Sequence, residues 1–282
     1  MYDIAVIGGG PAGLSAAVQA RVRNKSVVVI SGNSRDNPLY KTARIENYLG
    51  VPQISGPELL ERFRTHAQQL GAAQKEGRVL NIMPMGGTFY LSIGSEMEQV
   101  KAIVLATGVI WANKYPGEEA HLGRGVSYCA TCDGMLYRGK SVVVVGKAAD
   151  SPQEANYLRE LGCLVTYVSD KTPDGLRPDI PFVKAARVEI TGGGSGVEAL
   201  RAGSVTLPCE GVFILRPSVA PADLLPGLAL EDGYIRVDRN MATSIPGVFA
   251  AGDCTGLPLQ VSKAVGEGLV AGLRAAEYTD HI

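Results

Sequence analysis

Two cysteines separated by two residues form the part of the sequence best suited to redox chemistry. Cys129 and Cys132 lie in the run Cys-Ala-Thr-Cys-Asp-Gly at residues 129–134. Cysteines at this spacing can close into a disulfide and reopen as a dithiol, and the thiolate is the form that attacks another disulfide. Such a pair needs an acid that protonates the leaving thiolate, and the adjacent Asp133 is the candidate. The motif predicts a catalytic dithiol.

A zinc site is the alternative use of a Cys-x-x-Cys. Structural zinc takes four ligands as a rule, and the chain has no second Cys-x-x-Cys. The histidines are isolated from one another in the sequence: His66, His121 and His281. The sequence therefore predicts no metal site. The other cysteines, Cys163, Cys209 and Cys254, are predicted to pack in the interior, and a role for Cys254 stays open because Asp253 precedes it.

A glycine motif near the start predicts a dinucleotide site. Gly8, Gly10 and Gly13 have the spacing G-x-G-x-x-G, after the apolar run 4–7 and before a helix-compatible stretch at about 14–23. The first glycine allows a tight turn, the second admits a pyrophosphate and the third lets helix pack on strand. The alternative is a glycine-rich turn that binds no ligand, but the flanking strand and helix favour dinucleotide binding.

The residues inside this motif support the same prediction. Pro11 can begin the helix without losing a needed amide, and Ala12 follows it. The helix N-terminus offers free N–H groups and a partial positive charge to a phosphate. The second strand ends in Ser31-Gly32-Asn33, which has no acid for a ribose hydroxyl. The adenosine end must therefore be held in another way.

Apolar runs alternating with helical patterns place these motifs on an α/β fold. Strands are predicted at 4–7, 27–30, 88–93, 98–100, 103–108, 141–145, 164–168 and 246–253, and helices at 14–23, 58–70, 152–161 and 260–278, with a β-rich section up to about 230. The βαβ pattern starts twice and then returns. We predict two Rossmann-like, doubly wound, three-layer domains, the second inserted into the first. The glycines at 192–196 are predicted to form a hairpin loop.

Composition excludes several partners. Lys and Arg total 27 against 28 Asp and Glu, so the formal charge is −1 and nothing favours nucleic acid or a membrane surface. Apolar runs are far shorter than the roughly 20 residues that span a bilayer. The N-terminus enters a strand pattern without a secretion signal. A cytoplasmic protein is expected, where a Cys-x-x-Cys is typically catalytic.

Four motifs in order resemble low-molecular-weight thioredoxin reductases. They are Gly8-Gly9-Gly10-Pro11-Ala12-Gly13, Ala106-Thr107-Gly108, Cys129-Ala130-Thr131-Cys132-Asp133-Gly134 and Gly247-Val248-Phe249-Ala250-Ala251-Gly252-Asp253. Glu46-Asn47-Tyr48, Gln260-Val261 and Gly266-Glu267-Gly268 also resemble that family's flavin-contacting segments. The resemblance spans nearly the whole chain.

The resemblance implies FAD in a split domain, residues 1–112 and 233–282, with the dithiol on a central domain at 113–232. It implies that Cys132 faces the flavin, that Cys129 attacks the partner disulfide of thioredoxin, and that Asp133 donates the proton. It further implies flavin contacts from Asn47, from Gly252 and Asp253 toward the ribityl-phosphate portion, and from Gln260 and Val261 at the isoalloxazine edge. A homodimer is implied in the same way.

The central part departs from that family at its pyridine-nucleotide site. The loop at residues 146–152 has Ala148 where the second glycine should be and Ser151 at the third position. After the next strand the chain reads Ser169-Asp170-Lys171-Thr172-Pro173-Asp174, so two acids stand near the place where a run of basic residues would grip a 2′-phosphate. A Cβ at the second position intrudes on the approach of a pyrophosphate. The sequence is therefore most similar to ferredoxin-dependent flavin thioredoxin reductases, which implies ferredoxin as donor.

The alternatives are a divergent NADPH-dependent thioredoxin reductase, a diflavin-linked disulfide oxidoreductase, a thiol oxidase and a flavin-binding module without redox activity. Two short basic groups are candidate docking points for an acidic ferredoxin: Arg21, Arg23 and Lys25, or Arg35, Lys41 and Arg44.

Overall fold

Two parallel sheets organise the chain. The structure is a computed structural model and describes residues 1–109, 114–216 and 221–282. The described residues form a first unit of 1–109 and 221–282 and a second unit of 114–216. The fold is α/β with the second unit inserted into the first, which confirms the predicted fold class.

The first unit contains a seven-stranded sheet with helices on one face. Its elements are β1 (Tyr2–Ile7), α1 (Pro11–Val22), β2 (Val27–Ser31), α2 (Gly56–Gln69), β3 (Ala73–Glu76), β4 (Val79–Met85), β5 (Thr88–Ile93) and β6 (Glu96–Leu105), and the chain later returns to this unit. The strand order is β3-β2-β1-β6-β5-β4, and a strand from the returning segment also pairs with β6. β1, β2, β3 and β6 run parallel, and β4 and β5 run antiparallel.

The second unit contains a five-stranded parallel sheet and a three-stranded antiparallel sheet. Its elements are α3 (Glu118–His121), β7 (Val126–Ser127), α4 (Ala130–Asp133), β8 (Ser141–Gly146), α5 (Ser151–Glu160), β9 (Leu164–Ser169), β10 (Phe182–Lys184), β11 (Val188–Gly193), β12 (Gly196–Ala202), β13 (Val205–Pro208) and β14 (Gly211–Leu215). The parallel sheet has the order β10-β9-β8-β14-β7. β11 and β12 form an antiparallel hairpin that turns between Gly193 and Gly196, which confirms the hairpin prediction.

The returning segment completes the first unit. Its elements are α6 (Pro221–Leu224), β15 (Leu230–Glu231), β16 (Tyr234–Ile235), β17 (Val248–Ala250) and α7 (Val261–Thr279). β17 adds to β6 in parallel. Leu224, Leu225 and Leu228 pack in the first unit's core. The predicted domain boundaries at 112 and 233 stay predictions.

β6 is one strand where the sequence predicts two, at 98–100 and 103–108, and this part of the prediction was wrong. Its first half pairs antiparallel with β5, and its second half pairs in parallel with β17. Lys101 interrupts the apolar pattern, but its amine donates to Asp3 Oδ1 at 2.8 Å, so the charge is paired within the sheet. Thr107 and Gly108 follow the strand and belong to the loop beyond it.

Alternate side chains of the central strands face different layers. In β1, Ile4 and Val6 pack with α1, α2 and α7, whereas Ala5 and Ile7 pack with β4, β5 and the returning segment. The second unit repeats this arrangement, with α4 and α5 on one face of its parallel sheet and the antiparallel sheet on the other. In each unit a parallel sheet is therefore buried on both faces, which suits the apolar runs of its strands.

Candidate redox and dinucleotide sites

The predicted dithiol is a disulfide at the start of a short helix. Cys129 and Cys132 are bonded to each other, with Cα atoms 5.3 Å apart. Cys129 is the N-cap of α4, and the Cys132 amide donates to its Sγ at 3.0 Å. Cys129 is buried, with 7% of its surface exposed, and Cys132 is exposed. α4 is fastened to α5 because the Ala130 amide donates to Glu154 Oε2 at 3.4 Å.

A serine that sequence reasoning missed connects Cys129 with Asp133. Ser127 is the last residue of β7 and is 5% exposed. Its hydroxyl accepts the Cys129 amide at 3.1 Å and donates to Asp133 Oδ2 at 2.7 Å. One buried hydroxyl thus fixes both the backbone of a cysteine and the carboxylate predicted to be the acid. The serine lies only two residues before the motif, but no spacing rule links it to Asp133.

A buried ion pair lies beside the dithiol segment in the same unit. Glu118 is fully buried and accepts two hydrogen bonds of 2.7 Å from the Arg216 guanidinium. The hydroxyl of Tyr128, the residue before Cys129, donates to Glu118 at 2.9 Å. Burial favours a higher pKa for Glu118, but the hydrogen bonds from Arg216, the Tyr115 amide and Tyr128 outweigh it and lower that pKa. Bidentate pairing of this kind gives a fixed geometry.

The three glycines of the first unit occupy the places that a dinucleotide cradle requires. A Cβ at Gly8 would lie 2.1 Å from the Ala106 carbonyl oxygen, and one at Gly13 would lie 2.0 Å from the Gly8 carbonyl oxygen. Gly8 has a φ of +118°. Gly10 caps α1 with no side-chain hydrogen bond, and Pro11 begins the helix. The first turn of α1 therefore keeps its amides for a ligand.

The other predicted cofactor segments meet this cradle at one edge of the sheet. Ala106-Thr107-Gly108 follows β6, which is next to β1, and Gly252-Asp253 follows β17, which is next to β6. A Cβ at Gly252 would lie 2.7 Å from Cβ of Ala12. Ligands of open α/β sheets bind at the carboxyl ends of the strands. The sequence motifs thus converge in space.

A buried hydroxyl without a partner marks the same edge. Among the described residues, Oγ1 of Thr107 is one of the few buried side-chain atoms without a hydrogen bond. Buried polar atoms are normally paired, because an unpaired one costs about 1–3 kcal/mol. A group of the size and polarity of FAD at this edge would supply a partner, so the residues present fit that cofactor.

Asn37 and Ser31 are further residues that sequence reasoning missed. A Cβ at Gly10 would lie 3.1 Å from Nδ2 of Asn37, and one at Gly9 would lie 2.7 Å from Oγ of Ser31. The Asn37 Oδ1 accepts the Leu39 amide at 2.9 Å, which directs its Nδ2 to the glycine loop. Ser31 ends β2, where the usual fingerprint has a carboxylate, and Asn37 lies in the loop that follows.

The two segments predicted to contact the flavin, one with Asn47 and one with Gln260 and Val261, are joined by a hydrogen bond between side-chain amides. The Asn47 side-chain amide donates to Oε1 of Gln260 at 2.9 Å. Val261 begins α7 and packs against a small cluster that includes Ile45 and Ile54. The structure therefore brings Asn47, Gln260 and Val261 together, which one flavin site formed by all three would require.

The 146–152 loop of the second unit directs its amides inward. The amides of Lys147 and Ala148 both donate to the Leu215 carbonyl at 2.9 Å, and Ala148 also donates to Ser151 Oγ at 3.1 Å. A Cβ at Gly146 would lie 1.9 Å from the Tyr167 hydroxyl, so a tyrosine fills the space beside the loop. Burial raises the pKa of Tyr167. These amides are therefore occupied by the protein itself.

The remaining cysteines are buried, which confirms that they pack in the interior: Cys163, Cys209 and Cys254. Burial raises the pKa of Cys209 to about 12 and that of Cys254 to about 11, so neither forms a thiolate at neutral pH. No cluster of His, Cys, Asp and Glu suited to a metal occurs within 1–109, 114–216 and 221–282. None of the helices in those ranges is long and apolar enough to cross a membrane.

The first basic group has protein partners. The Arg21 guanidinium donates to the carbonyls of Leu70 and Lys25, and the Lys25 amine pairs with Asp280. In the second group, Arg44 pairs with Glu46. A docking role for either group stays a prediction.

Comparison with known proteins agrees with this geometry. The pyridine nucleotide-disulphide oxidoreductase family matches residues 2–268. A thioredoxin reductase of Listeria innocua is 33% identical over 100% of this chain and 95% of its own length. Two crystal structures of a ferredoxin-flavin thioredoxin reductase from Clostridium acetobutylicum are also similar. The first is 44% identical, the match covers 100% of this chain and 99% of that one, and the TM-score is 0.92. The second is 40% identical, the match covers 99% of this chain and 98% of that one, and the TM-score is 0.89.

A Cys-x-x-Cys disulfide in one unit and a dinucleotide cradle in the other define the class of flavoprotein disulfide oxidoreductases. The chain belongs to the pyridine nucleotide-disulphide oxidoreductase family, as an FAD-dependent enzyme of the thioredoxin reductase type.

Proposed function

We propose that this protein passes electrons from reduced ferredoxin, by way of FAD and the Cys129–Cys132 pair, to thioredoxin. The observation that carries the choice of donor is the 146–152 loop, whose amides at Lys147 and Ala148 bond to Leu215 instead of facing a ligand. The names of the similar proteins support the choice of thioredoxin, because the Listeria relative is called a thioredoxin reductase.

The residues that hold FAD are those that converge at the edge of the first sheet. Gly8, Gly10, Pro11, Ala12 and Gly13 would hold the pyrophosphate, and the rest of the site would come from Ala106, Thr107, Gly108, Asn47, Gly252, Asp253, Gln260 and Val261. The unpaired Thr107 hydroxyl and the free first turn of α1 support this assignment. When bound, FAD accepts electrons singly and delivers them in pairs, which is what an iron–sulfur donor and a disulfide acceptor need.

The dithiol carries out the exchange with thioredoxin. The Cys129–Cys132 disulfide takes up two electrons and two protons and opens. The Cys129 thiol gives its proton to the Asp133 carboxylate, and the thiolate then attacks one sulfur of the thioredoxin disulfide; the thioredoxin thiolate that is released takes this proton back from Asp133. Cys132 attacks Cys129 in turn and loses its own proton, which the second thioredoxin thiolate takes up as the disulfide is restored. Because Cys129 is only 7% exposed, its sulfur must become accessible for this attack.

The second unit offers poor support for NADPH. A dinucleotide loop binds through amides that point at the phosphates. Here those of Lys147 and Ala148 have internal acceptors, and the Lys147 amine is paired with Asp170 Oδ1 at 3.1 Å. The Asp170 carboxylate, which already takes up the Lys147 amine, would repel a 2′-phosphate at this place.

A ferredoxin donor is energetically sufficient. A plant-type ferredoxin near −400 mV and thioredoxin near −270 mV differ by about 130 mV, or about 6 kcal/mol for two electrons. Two of the similar structures are named ferredoxin-flavin thioredoxin reductases.

Anaerobic mixing tests the donor. Reduced ferredoxin is expected to bleach the flavin absorbance at a catalytic rate, and excess NADPH is expected to leave it oxidised. Fast bleaching by NADPH with no response to ferredoxin would make the enzyme NADPH-dependent. Two flavins per chain would favour the diflavin alternative.

A cysteine variant tests the dithiol separately. Cys129→Ser should allow flavin reduction but abolish thioredoxin reduction, because the attacking sulfur is missing. Cys209→Ala is the matched control, since Cys209 is buried in the same unit and its pKa is raised to about 12. Undiminished turnover in Cys129→Ser would exclude the assigned role.

Three further predictions accompany this function: the split of the FAD domain at 112 and 233, a homodimer, and a cytoplasmic location. Sedimentation velocity of the holoenzyme tests the homodimer directly.

A further inference from the structure

An ion pair on α7 holds both ends of the turn that carries Asp253. Lys263 and Glu267 are one helical turn apart, and their side chains are only 15% and 21% exposed. The turn runs from Gly252 to Gly256, and its middle, Asp253–Thr255, is a single 3-10 turn. Glu267 belongs to a segment that resembles flavin-contacting residues of the family, but neither side chain has been given a role so far.

Lys263 fastens the turn through its carbonyls. Its amine donates to the Gly252 carbonyl at 2.8 Å, to the Gly256 carbonyl at 2.7 Å and to the Thr255 hydroxyl at 3.0 Å. These three acceptors span the whole turn. A single ammonium group has three donors, so its hydrogen-bonding capacity is used within this turn.

Glu267 fastens the same turn through its donors. One carboxylate oxygen, Oε2, accepts the Gly252 amide at 2.9 Å and the Thr255 hydroxyl at 2.7 Å. The same oxygen lies 3.2 Å from the Lys263 amine. Hydrogen bonds to charged groups are the stronger ones in proteins, and a partly buried pair is little screened by water.

The backbone of the turn is one that few residues adopt. Gly252 has a φ of +88° and Gly256 a φ of +116°. A turn that begins and ends with glycine is conformationally free in itself. The ion pair supplies the restraint that the backbone lacks.

We propose that Lys263 and Glu267 are positioning residues for FAD, which they serve by fixing Asp253 relative to the N-terminus of α7. The inference rests on the proposed function, since it assigns Asp253 and Gln260 to the cofactor. Lys263 lies in the first turn of α7, two residues after Val261 and three after Gln260. The ion pair therefore joins two FAD-contacting segments into one rigid piece, and pre-formed sites bind more tightly than sites that must be ordered.

The charges of the pair act in opposite directions on the carboxyl that they position. Burial raises the pKa of Asp253, the Lys263 ammonium opposes this rise, and the Glu267 carboxylate adds to it. Loss of Lys263 would leave the charge of Glu267 to act on Asp253 without the opposing cation.

The test is the Kd for FAD of the apoprotein, measured from the quenching of flavin fluorescence on binding. Lys263→Met should raise the Kd for FAD about 30-fold, because the turn loses its restraint and Glu267 loses its partner. Lys75→Met is the matched control. Lys75 is 26% exposed and pairs with Glu96 and Glu98 in the same unit, away from the turn. The Kd of the Lys75→Met variant for FAD should therefore change less than threefold.

A second variant protects the test from misfolding. Glu267→Gln keeps an oxygen for the Gly252 amide but removes the charge, so it should fold and raise the Kd about fivefold. Circular dichroism and the melting temperature of each apoprotein establish that the variants are folded.

A cycle with Asp253 separates positioning from general stability. If Lys263 acts through Asp253, Lys263→Met should cost less than threefold in an Asp253→Asn background, against about 30-fold alone. Equal losses in both backgrounds, or no loss beyond that of Lys75→Met, would overturn the inference. A wild-type apoprotein that does not bind FAD at all would instead overturn the proposed function.

Discussion

At the scale of the residue, the chemistry proposed for Cys129 depends on a hydroxyl that is not part of the motif. Ser127 accepts the Cys129 amide and donates to Asp133 Oδ2 at 2.7 Å. The Cys129 carbonyl is a second acceptor for this hydroxyl at 3.2 Å, but a hydroxyl has a single proton and the contact with the carboxylate is the shorter, while the Cys129 amide occupies one of its lone pairs. One oxygen atom therefore holds both the backbone of the proposed attacking cysteine and the side chain of the proposed acid.

Replacement of this serine should affect thioredoxin reduction more than flavin reduction. Ser127→Ala is expected to lower kcat for thioredoxin about tenfold with little change in KM, because the acid is no longer oriented, and positioned acids contribute 10² to 10⁴ in rate. Stopped-flow flavin reduction by the donor should change less than twofold. Ser127→Thr keeps the hydroxyl and should recover most of kcat, whereas an equally impaired Thr variant would mean that the site responds to packing alone.

Sequence reasoning finds reactive residues when their partners are near in the chain. Cys129, Cys132 and Asp133 are recognisable because a three-residue spacing fixes their geometry. The contact from Ser127 to Asp133 depends on how β7 bends into α4, and the placement of Asn37 over Gly10 depends on a loop between β2 and α2. Neither arrangement has a fixed spacing, so neither could be read from the sequence.

At the scale of the element, the close approach of α7 to α1 holds the helix that follows the glycine loop in place. A Cβ at Gly268 would lie 2.1 Å from the Ala12 carbonyl oxygen, and one at Gly272 would lie 2.4 Å from the Ala16 carbonyl oxygen. The Ser15 hydroxyl donates to the Val265 carbonyl at 2.8 Å across the same interface. The glycines thus allow two helix backbones to touch.

Alanine at Gly268 should push these helices apart. We expect Gly268→Ala to lower the free energy of unfolding by about 2 kcal/mol and to weaken FAD binding, because overpacking costs about 1–3 kcal/mol and α1 carries the cradle. Gly266→Ala is the control on the same helix. Nothing lies within 4 Å of its added Cβ, so it should be neutral or stabilise by up to about 1 kcal/mol. Urea unfolding of the apoproteins measures both, and equal effects would contradict the packing argument.

Most elements follow from apolar periodicity, and the exceptions have physical causes. The predicted strand 88–93 and the helices near 14–23, 152–161 and 260–278 occur close to those positions. β6 appears broken in the sequence because Lys101 lies in it. Lys101 pairs with Asp3 of β1, and this pairing could not be predicted without knowing that β1 and β6 are neighbours in the sheet. The polar edge strand β3 has no apolar alternation, so it could not be predicted.

At the scale of the whole molecule, the same layering occurs twice but only one copy keeps a ligand cradle. Both units bury a parallel sheet between helices and antiparallel strands. The loop after β1 has glycine where a phosphate approaches, whereas the loop after β8 has Ala148 and bonds to Leu215. The alanine at position 148, in place of glycine, could be recognised in the sequence. The hydrogen bonds from the loop amides to Leu215 could be recognised only in the structure.

A carboxylate at the start of the chain links three strands and should govern acid stability of the first unit. Asp3 Oδ2 accepts the Ser26 amide and hydroxyl at 2.9 and 2.7 Å, and Oδ1 accepts the Lys101 amine at 2.8 Å. Burial opposes ionisation, but the hydrogen bonds from Lys101 and Ser26 outweigh it and lower the pKa of Asp3 from 3.8 to about 2. A depressed pKa in the folded state means that the stability is present above the unfolded value and lost as pH falls.

Asp3→Asn should therefore destabilise the protein at neutral pH but not in acid. We expect a loss of about 1–2 kcal/mol in the free energy of unfolding at pH 6, which shrinks toward zero as pH falls from about 4 to about 2 because wild-type Asp3 then takes up its proton. Urea unfolding between pH 6 and pH 2.5 measures the difference. Glu58→Gln removes an exposed pair with Arg62 and should change stability by less than about 0.5 kcal/mol at every pH. A difference for Asp3→Asn that stays constant across this range would show that the side chain contributes through packing and not through its charge.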